Sequence, residues 1–326
     1  MNKINWGIIG CGNVCEVKSG PAFRKIENSD LVAVMRRNKE KVIDFAKRHG
    51  VDRWYTNAEE LNADKNVNAV YIATPPNTHA EYAIKAMLAG KPVYVEKPMA
   101  LNYAECLKMI ETSTKTGIPL FVAYYRRFFP YFLKVKEIID SQQLGTILTV
   151  NLITIIPPRP EDYHQNNPPW HLLPEIGGAG YFFDVACHQL DLLDFLIGPV
   201  EDVHGWYTNR GNIYKVEDTL VANLKFQSGV LASCCLSYVG DENNETDRIE
   251  IFGAKGKVDF SISADSPITL CTENQTQQFH FEKPKHVELP MIEQVVQSLL
   301  GDNALKSNME SAARTSWVMD KVMNRI

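Results

Sequence analysis

The sequence lacks the features that would assign it to a membrane, to nucleic acid or to an oxidising compartment. No apolar run approaches the ~18 residues that a membrane span needs, and the amino terminus has neither the apolar core nor the cleavage site of a secretory signal. The net charge of -5 argues against general attraction to nucleic acid or to acidic membranes. The seven cysteines are odd in number and form no CxxC pair, so reduced thiols and a cytoplasmic location are expected.

Metal-binding patterns are missing as well. The sequence has no HxxxH motif and no dense carboxylate cluster, and His164 and His171 lack an obvious third ligand. No serine or cysteine occupies the sharp turn of a hydrolase nucleophile. We therefore expect neither a bound metal nor a covalent nucleophile.

The apolar content, in contrast, is sufficient for two domains. At 326 residues, 45% of them hydrophobic, the chain is too long for one ordinary core. Up to residue 124, apolar β-rich runs alternate with helical patterns, which predicts a doubly wound parallel sheet. The predicted strands are 4–9, 31–35, 69–73, 93–95 and 120–123, and the predicted helices are 39–49, 78–89 and 102–116. A domain boundary is expected between residues 124 and 125.

From residue 125 onward the pattern changes to successive strands. A helix is predicted over 131–139, strands are predicted over 146–156, 220–226, 230–237, 248–252 and 257–260, and amphipathic helices are predicted over 292–300 and 309–323. The last four strands indicate an antiparallel meander. Segment 157–178 holds six prolines and cannot be a central strand. We favour a lid that faces the substrate over a plain surface connection.

A glycine turn at residues 10–15 follows the first strand, as in sites that receive a dinucleotide pyrophosphate. Cys15 replaces the third glycine of the usual pattern, at a position that serves only close packing. Because Gly20-Pro21 follows, the helix after the turn is expected to be short or kinked. A purely structural turn is the alternative, but we favour cofactor binding. The residues expected to contact the pyrophosphate are Gly10, Gly12, Asn13 and Val14.

The choice of cofactor depends on the end of the second strand, where NAD enzymes place an acid against the ribose. Arg36 and Arg37 occupy that place, while Asp30 lies at the wrong end of the strand and Glu40 lies in the next helix. Guanidinium groups pair with a 2′-phosphate. NADP(H) is therefore the preferred prediction, NAD(H) is possible, and a solvated basic patch is the alternative.

Two further loops follow buried strands, at the edge where an open parallel sheet holds its ligand. The first, at 74–79, is a rigid proline turn in which Asn77 is a plausible helix cap. The second is Glu96-Lys97-Pro98, which presents a proton-transferring side chain. Residues expected near the cofactor are Thr74, Pro75, Asn77, His79, Glu96 and Lys97, with His79 favoured as a packing residue.

A glycine-rich stretch at 177–180 leads into a helical pattern. Asp184 and His188 are four residues apart and would share one helical face. Because their neighbours are apolar, the pair would be largely buried and would need partners.

Together these motifs resemble the Gfo/Idh/MocA family, named for glucose-fructose oxidoreductase and inositol dehydrogenase, over nearly the whole chain. The matches are the turn at 10–12, Glu96-Lys97-Pro98, Arg126-Arg127-Phe128 and the glycine-to-histidine pattern of 177–188. The resemblance implies an amino-terminal Rossmann domain, 1–124, that binds the dinucleotide. It also implies a carboxyl-terminal α/β domain, 125–326, with a large, mostly antiparallel open sheet that binds substrate and forms a homo-dimer or homo-tetramer.

The resemblance also implies site residues. Lys97, Asp184 and His188 correspond to the family's catalytic residues. The expected substrate contacts are Arg127, Trp170, His171, Asp184 and His188. His171 stands where many relatives have another basic residue. Because the ordinary pKa of histidine is ~6.5 and that of lysine ~10.4, we expect His188 to carry the proton and Lys97 to polarise the hydroxyl.

The predicted function is therefore hydride transfer between nicotinamide and a secondary alcohol or ketone of a sugar, cyclitol or related polyol. One alternative is a glycoside-cleaving enzyme that works through transient oxidation. The other is a non-catalytic dinucleotide-binding regulator, which should have lost the lysine or the Asp-His pair.

Overall fold

The computed structural model describes residues 2–164, 166–302 and 305–326. The described residues divide into two compact units. The first unit runs to Tyr125 and also includes Pro284–Ala313, and the second comprises Arg126–Lys283 and Arg314–Ile326. The sequence analysis expects two consecutive domains that meet between residues 124 and 125. That expectation stays a prediction.

The first unit contains a six-stranded sheet in which all neighbouring strands are parallel. Its strands are β1 (Ile4–Ile9), β2 (Ser29–Met35), β3 (Arg53–Tyr55), β4 (Ala69–Ile72), β5 (Val93–Val95) and β6 (Leu120–Val122), in the order β3-β2-β1-β4-β5-β6. Every residue of β4 and β5 is buried, as expected of strands covered on both faces. The doubly wound parallel sheet is confirmed.

Helices connect these strands, and some of them begin after an asparagine whose side chain caps the helix. The helices are α1 (Asn13–Val17), α2 (Gly20–Phe23), α3 (Lys39–His49), α4 (Ala58–Ala63), α5 (His79–Leu88) and α6 (Tyr103–Thr116). The side chains of Asn38 and Asn102 accept backbone hydrogen bonds at the starts of α3 and α6. The break between α1 and α2 confirms the short first helix. The sequence prediction omitted β3 and α4, which are three and six residues long.

The second unit contains an eight-stranded open sheet of order β14-β13-β12-β11-β7-β10-β9-β8. Its strands are β7 (Ile147–Ile155), β8 (Val200–Thr208), β9 (Thr219–Phe226), β10 (Leu231–Ser237), β11 (Thr246–Gly253), β12 (Gly256–Phe260), β13 (Ile268–Thr272) and β14 (Thr276–Phe279). Among the described strands of this sheet, only β7 and β10 pair in parallel. The mostly antiparallel sheet is confirmed, but the continuous meander is wrong, because β7 inserts between β10 and β11.

The remaining elements are helices and short turns. The helices are α7 (Pro130–Asp140), α8 (Pro174–Gly177), α9 (Cys187–Ile197), α10 (Leu289–Leu300), which belongs to the first unit, and α11 (Met309–Val322). Apart from residue 165, which lies outside the described residues, segment 157–178 contains turns and α8 but no strand. None of the described helices has the length and apolar character to cross a bilayer.

Candidate active site

Gly10 and Gly12 give the glycine turn its shape for different reasons. Gly10 has φ +92, and a Cβ there would lie 2.6 Å from Cγ2 of Thr74, so the turn accepts only glycine. A Cβ on Gly12 would meet only the Gly10 carbonyl oxygen, at 3.8 Å. The space beside Gly12 is therefore open above the first turn of α1, where no side chain caps the helix. Free backbone N–H groups at such a turn fit a pyrophosphate.

Cys15, in place of the third glycine, serves packing. Its side chain is fully buried, and its Sγ lies 3.8 Å from the Gly10 carbonyl oxygen. Burial raises the pKa of this thiol well above its usual range, so the thiol stays neutral. A Cβ on Gly20 would come within 2.1 Å of the Cys15 carbonyl oxygen. The start of α2 can therefore approach α1 this closely only because residue 20 is glycine.

Arg36 joins the end of β2 to the glycine turn. Its Nη1 donates a hydrogen bond of 3.1 Å to the carbonyl oxygen of Cys11, while the side chain of Arg37 is exposed. Asp30, the acid nearest along β2, pairs with Lys3 and Arg24 instead, each at 3.2 Å. The guanidinium of Arg36 is therefore the charged group that this strand end presents beside the glycine turn.

The loop after β4 is closed by its own threonines. Oγ1 of Thr78 lies 2.8 Å from Oγ1 of Thr74 and 3.0 Å from the carbonyl oxygen of Pro75. Residues Pro76–Thr78 form a 3₁₀ turn, and Thr78 takes the position before α5. The prediction that Asn77 caps this helix is wrong, because the two prolines turn the chain one residue later than expected.

His79 links the two loops at the carboxyl ends of β4 and β5. The ring is fully buried, with Nδ1 at 2.9 Å from the Pro98 carbonyl oxygen and Nε2 at 2.7 Å from that of Thr74. Burial lowers the pKa of His79, and the two carbonyls oppose that effect. Any contribution of His79 to cofactor binding, which stays a prediction, would act through the position of these loops.

Glu96 and Lys97 follow β5 directly. One carboxylate oxygen of Glu96 accepts a hydrogen bond of 2.6 Å from the hydroxyl of Tyr71, and the other lies 3.3 Å from the backbone N–H of Lys97. Glu96 is buried and Lys97 is partly exposed. The acid thus holds the backbone from which the lysine extends.

In the second unit, Asp184 and His188 lie where the helix is irregular. The sequence predicts one regular helical face for both, but Phe182–Ala186 forms a π turn and His188 lies in the first turn of α9. Asp184 is partly exposed, whereas His188 is 5% exposed. Single π turns within helices are frequent at functional sites.

Arg127 is held by a buried carboxylate. Its Nε and Nη2 donate hydrogen bonds of 2.7 and 2.6 Å to the two carboxylate oxygens of Asp191, in bidentate geometry. Asp194, one turn later, pairs in the same way with Arg314. Burial raises the pKa of Asp191 to about 6, although Arg127 opposes this. A substrate contact by Arg127 stays a prediction.

The lid residues Trp170 and His171 are fixed next to the glycine-rich stretch. A Cβ on Gly177 would lie 2.6 Å from Cα of His171, so the glycine permits this close approach. The His171 ring lies 4.8 Å from the ring of Tyr181, whose hydroxyl lies 2.8 Å from both carboxylate oxygens of Asp162. Asp162 also belongs to the lid, so Tyr181 contacts the lid at two places, the His171 ring and the Asp162 carboxylate. The Trp170 ring remains 40% exposed.

Each unit therefore gathers its own part of the predicted site. The cofactor residues and Lys97 belong to the first unit, and Asp184, His188 and the lid belong to the second. That Lys97 and His188 meet over one substrate stays a prediction. Sequence analysis missed Asp162, Tyr181, Glu288 and Arg314, because a single acid, tyrosine or arginine outside a motif carries no signal of its partner. No group of three or more His, Cys, Asp or Glu side chains able to hold a metal occurs among the described residues.

The geometry defines a class of protein in which a dinucleotide-binding Rossmann unit is combined with a unit built on an open sheet. Residues 4–124 match the family described as "Oxidoreductase family, NAD-binding Rossmann fold", and residues 132–259 match "GFO/IDH/MocA C-terminal domain". The chain belongs to the GFO/IDH/MocA oxidoreductase family. The resemblance found in its motifs is thereby confirmed.

Named relatives support this membership. The chain is 42% identical over 319 residues to "Oxidoreductase P35" of Formosa agariphila, covering 98% of each chain. It is 29% identical to "Myo-inositol 2-dehydrogenase" of Thermotoga maritima, over 82% of this chain and 78% of that protein.

Solved structures share the fold at lower identity. Levoglucosan dehydrogenase in complex with NADH and levoglucosan has a TM-score of 0.87 at 18% identity, covering 99% of this chain and 96% of the other. A 3-ketoreductase from Actinomadura kijaniata in complex with NADP has a TM-score of 0.84 at 21% identity, covering 99% and 98%. These likenesses concern the fold alone.

Proposed function

We propose that this oxidoreductase interconverts a secondary alcohol and a ketone on a sugar, cyclitol or related polyol, with NADP(H) preferred over NAD(H). The observation that carries the proposal is the pair of polar residues in the second unit. A buried histidine and a carboxylate lie at a π turn, next to a lid tied to the same segment, in a chain whose family binds a nicotinamide nucleotide.

The chemistry requires charge stabilisation and proton transfer at one substrate oxygen. The nicotinamide, when bound, supplies or accepts the hydride. His188 transfers the proton, because an imidazole ionises near neutral pH. Lys97 stabilises the negative charge that develops on the oxygen. Asp184 holds substrate hydroxyls or orients the imidazole.

The names of similar proteins support the substrate class. One relative is named for myo-inositol, and one structural neighbour holds levoglucosan. The lid supports it as well, since an exposed Trp170 ring beside buried polar groups offers the apolar face and the hydrogen-bonding groups that a polyhydroxylated ligand needs.

The NADP(H) preference is supported by Arg36, whose guanidinium lies beside the glycine turn. The structural neighbours include complexes with NADH and complexes with NADP, so they favour neither cofactor. A 2′-phosphate would add hydrogen bonds from arginine that the ribose hydroxyl of NAD(H) lacks.

Self-association through the second unit's sheet is part of the proposal. Along β9 and β10 the side chains alternate between buried and exposed, so one face of the sheet lies outward. That face carries large apolar side chains, among them Trp206 at 67% exposure and Leu231 at 57%. Exposed large apolar side chains on one sheet face favour an interaction site there.

The test of the redox proposal is a set of matched variants assayed with NADPH and NADH on cyclitols, aldoses and keto sugars. Lys97→Met and His188→Asn should each lower kcat/KM by about 10²- to 10⁴-fold, the range for a lost general acid or base. The ionisation near neutral pH should disappear from the profile of His188→Asn and persist in that of Lys97→Met.

Lys115→Met is the control, because its side chain is 72% exposed. It should match the wild type. A wild-type ionisation in His188→Asn would remove the histidine from its role. Release of free sugar without net cofactor turnover would instead indicate the glycoside-cleaving alternative.

A further inference from the structure

Beneath Lys97 the first unit contains two buried carboxyl groups, Glu96 and Glu288. Glu288 is fully buried and Glu96 is 7% exposed. The hydroxyl of Tyr71 lies 2.6 Å from a carboxylate oxygen of Glu96 and 3.4 Å from one of Glu288, so it lies between the two acids. Among the described residues, no lysine or arginine forms an ion pair with either acid.

Two ionised carboxylates at this depth would repel each other in a low dielectric. Glu96 is the better place for the charge, because a tyrosine hydroxyl and the backbone N–H of Lys97 both donate to it. Oε1 of Glu288 has no hydrogen-bond donor among the described residues. A proton on Glu288 that is donated to Glu96 removes the repulsion.

The position of Glu288 at the start of α10 supports this assignment. An acid there commonly stabilises a helix as an anion, but the Glu288 side chain makes no capping hydrogen bond. It turns toward Tyr71 and Glu96 instead. Burial is the main cause that raises the pKa of Glu288 well above its usual range, and the neighbouring Glu96 raises it further.

We infer that Glu288 is a neutral acid that shares its proton with Glu96 and thereby positions the backbone of Lys97. Glu288 is a positioning residue, and its link to catalysis rests on the function proposed above for Lys97. The other ionisable groups that act on the pair are Tyr71, Tyr94, Cys15, Lys18 and His79. The residues of β1 and α2, which also pack on α10, have no ionisable side chains.

The first test is thermal unfolding of Glu288→Gln and the wild type between pH 5 and pH 8. The unfolded chain releases the Glu288 proton above its ordinary pKa, whereas the folded protein keeps it. Wild-type stability therefore falls as pH rises through this range, by up to about tenfold per pH unit in the folding equilibrium constant. Glutamine has no proton to release, so the Tm of the variant minus that of the wild type should increase with pH.

A difference that is constant or falls with pH would overturn the inference, because it would mean an ionised Glu288. Glu293→Gln, an exposed acid of the same helix, is the control and should show no such increase. If Glu288→Gln does not fold, infrared spectroscopy of the wild type at pH 8 decides. A protonated carboxyl band supports the neutral acid, and its absence overturns it.

The second test concerns positioning and needs no substrate. Lysines labelled with ¹³C by reductive methylation give an NMR signal for Lys97 that Lys97→Arg identifies. This signal should shift in Glu288→Ala and return to its wild-type position in Glu288→Gln, which keeps the hydrogen bond to Glu96. An unmoved signal in Glu288→Ala would overturn the positioning role, whatever the assays on sugars give.

Discussion

In the proposed function, Arg36 is the residue on which the choice between the two cofactors depends. Its guanidinium is already held at the Cys11 carbonyl oxygen, so little side-chain entropy remains to be lost on binding a phosphate. A hydrogen bond to a charged group contributes ~1.5–3 kcal/mol. Arg36→Ala should therefore weaken NADPH binding by roughly tenfold to a hundredfold and change NADH binding by less than about threefold.

Fluorescence titration of both cofactors measures this difference. Lys41→Ala removes an exposed charge from the same basic stretch and should leave both affinities unchanged. Equal affinity of the wild type for NADPH and NADH, or an equal loss of both in Arg36→Ala, would contradict the assignment.

Single residues also show the limit of sequence reasoning. Gly10 could be predicted, because a strand, a tight turn and a helix start are local features of the chain. Glu288 could not, since its partner Glu96 lies 192 positions away in the sequence and neither acid belongs to a pattern that names the other. Burial and contact between distant segments decide the role of such a residue.

At the scale of elements, the lid depends on the bond between Tyr181 and Asp162. The hydroxyl lies 2.8 Å from both oxygens of a carboxylate that is 1% exposed. The backbone N–H of Arg159 is a further donor to that carboxylate. Tyr181→Phe would leave a buried carboxylate with fewer donors, so the free energy of unfolding should fall by ~1–3 kcal/mol. Because the lid also carries Trp170 and His171, KM for the sugar should rise, while cofactor affinity stays unchanged.

Chemical denaturation and steady-state kinetics measure these effects. Tyr163→Phe is the matched control, because this tyrosine of the same lid is 58% exposed and its change should stay within about 0.5 kcal/mol. If both variants behave alike, Tyr181 does not hold the lid.

Most elements with strong periodicity were predicted, whereas the short β3 and α4 and the nine-residue β8 were not. The strands of the parallel sheet and helices such as Lys39–His49 follow from apolar runs and asparagine caps near the predicted positions. The π turn at Phe182–Ala186 was not foreseeable, since the same residues fit a regular helix equally well. The insertion of β7 between β10 and β11 depends on pairing between distant segments, which alternation within one strand does not reveal.

At the scale of the whole molecule, one face of the eight-stranded sheet is the surface by which copies would associate. Trp206 on β8, Val221 on β9 and Cys235 on β10 are paired in register and all are exposed, so they form a row across three neighbouring strands. Such a row is costly to leave in water, at about 25 cal/mol for each Å² of apolar surface. A second copy of the same sheet face would cover it with matching apolar side chains.

Trp206→Glu and Val221→Glu should therefore convert a dimer or tetramer into monomers, because a charge buried in an apolar interface costs several kcal/mol when it has no partner. Light scattering coupled to gel filtration gives the mass in solution.

Leu88→Glu, at a residue of the first unit that is 68% exposed, is the control and should keep the wild-type mass. A monomeric wild type would contradict self-association, and a wild-type mass in both sheet variants would place the interface elsewhere. Since the two substitutions lie on the outer face of the sheet, cofactor affinity should persist in the monomers, which separates loss of assembly from loss of folding.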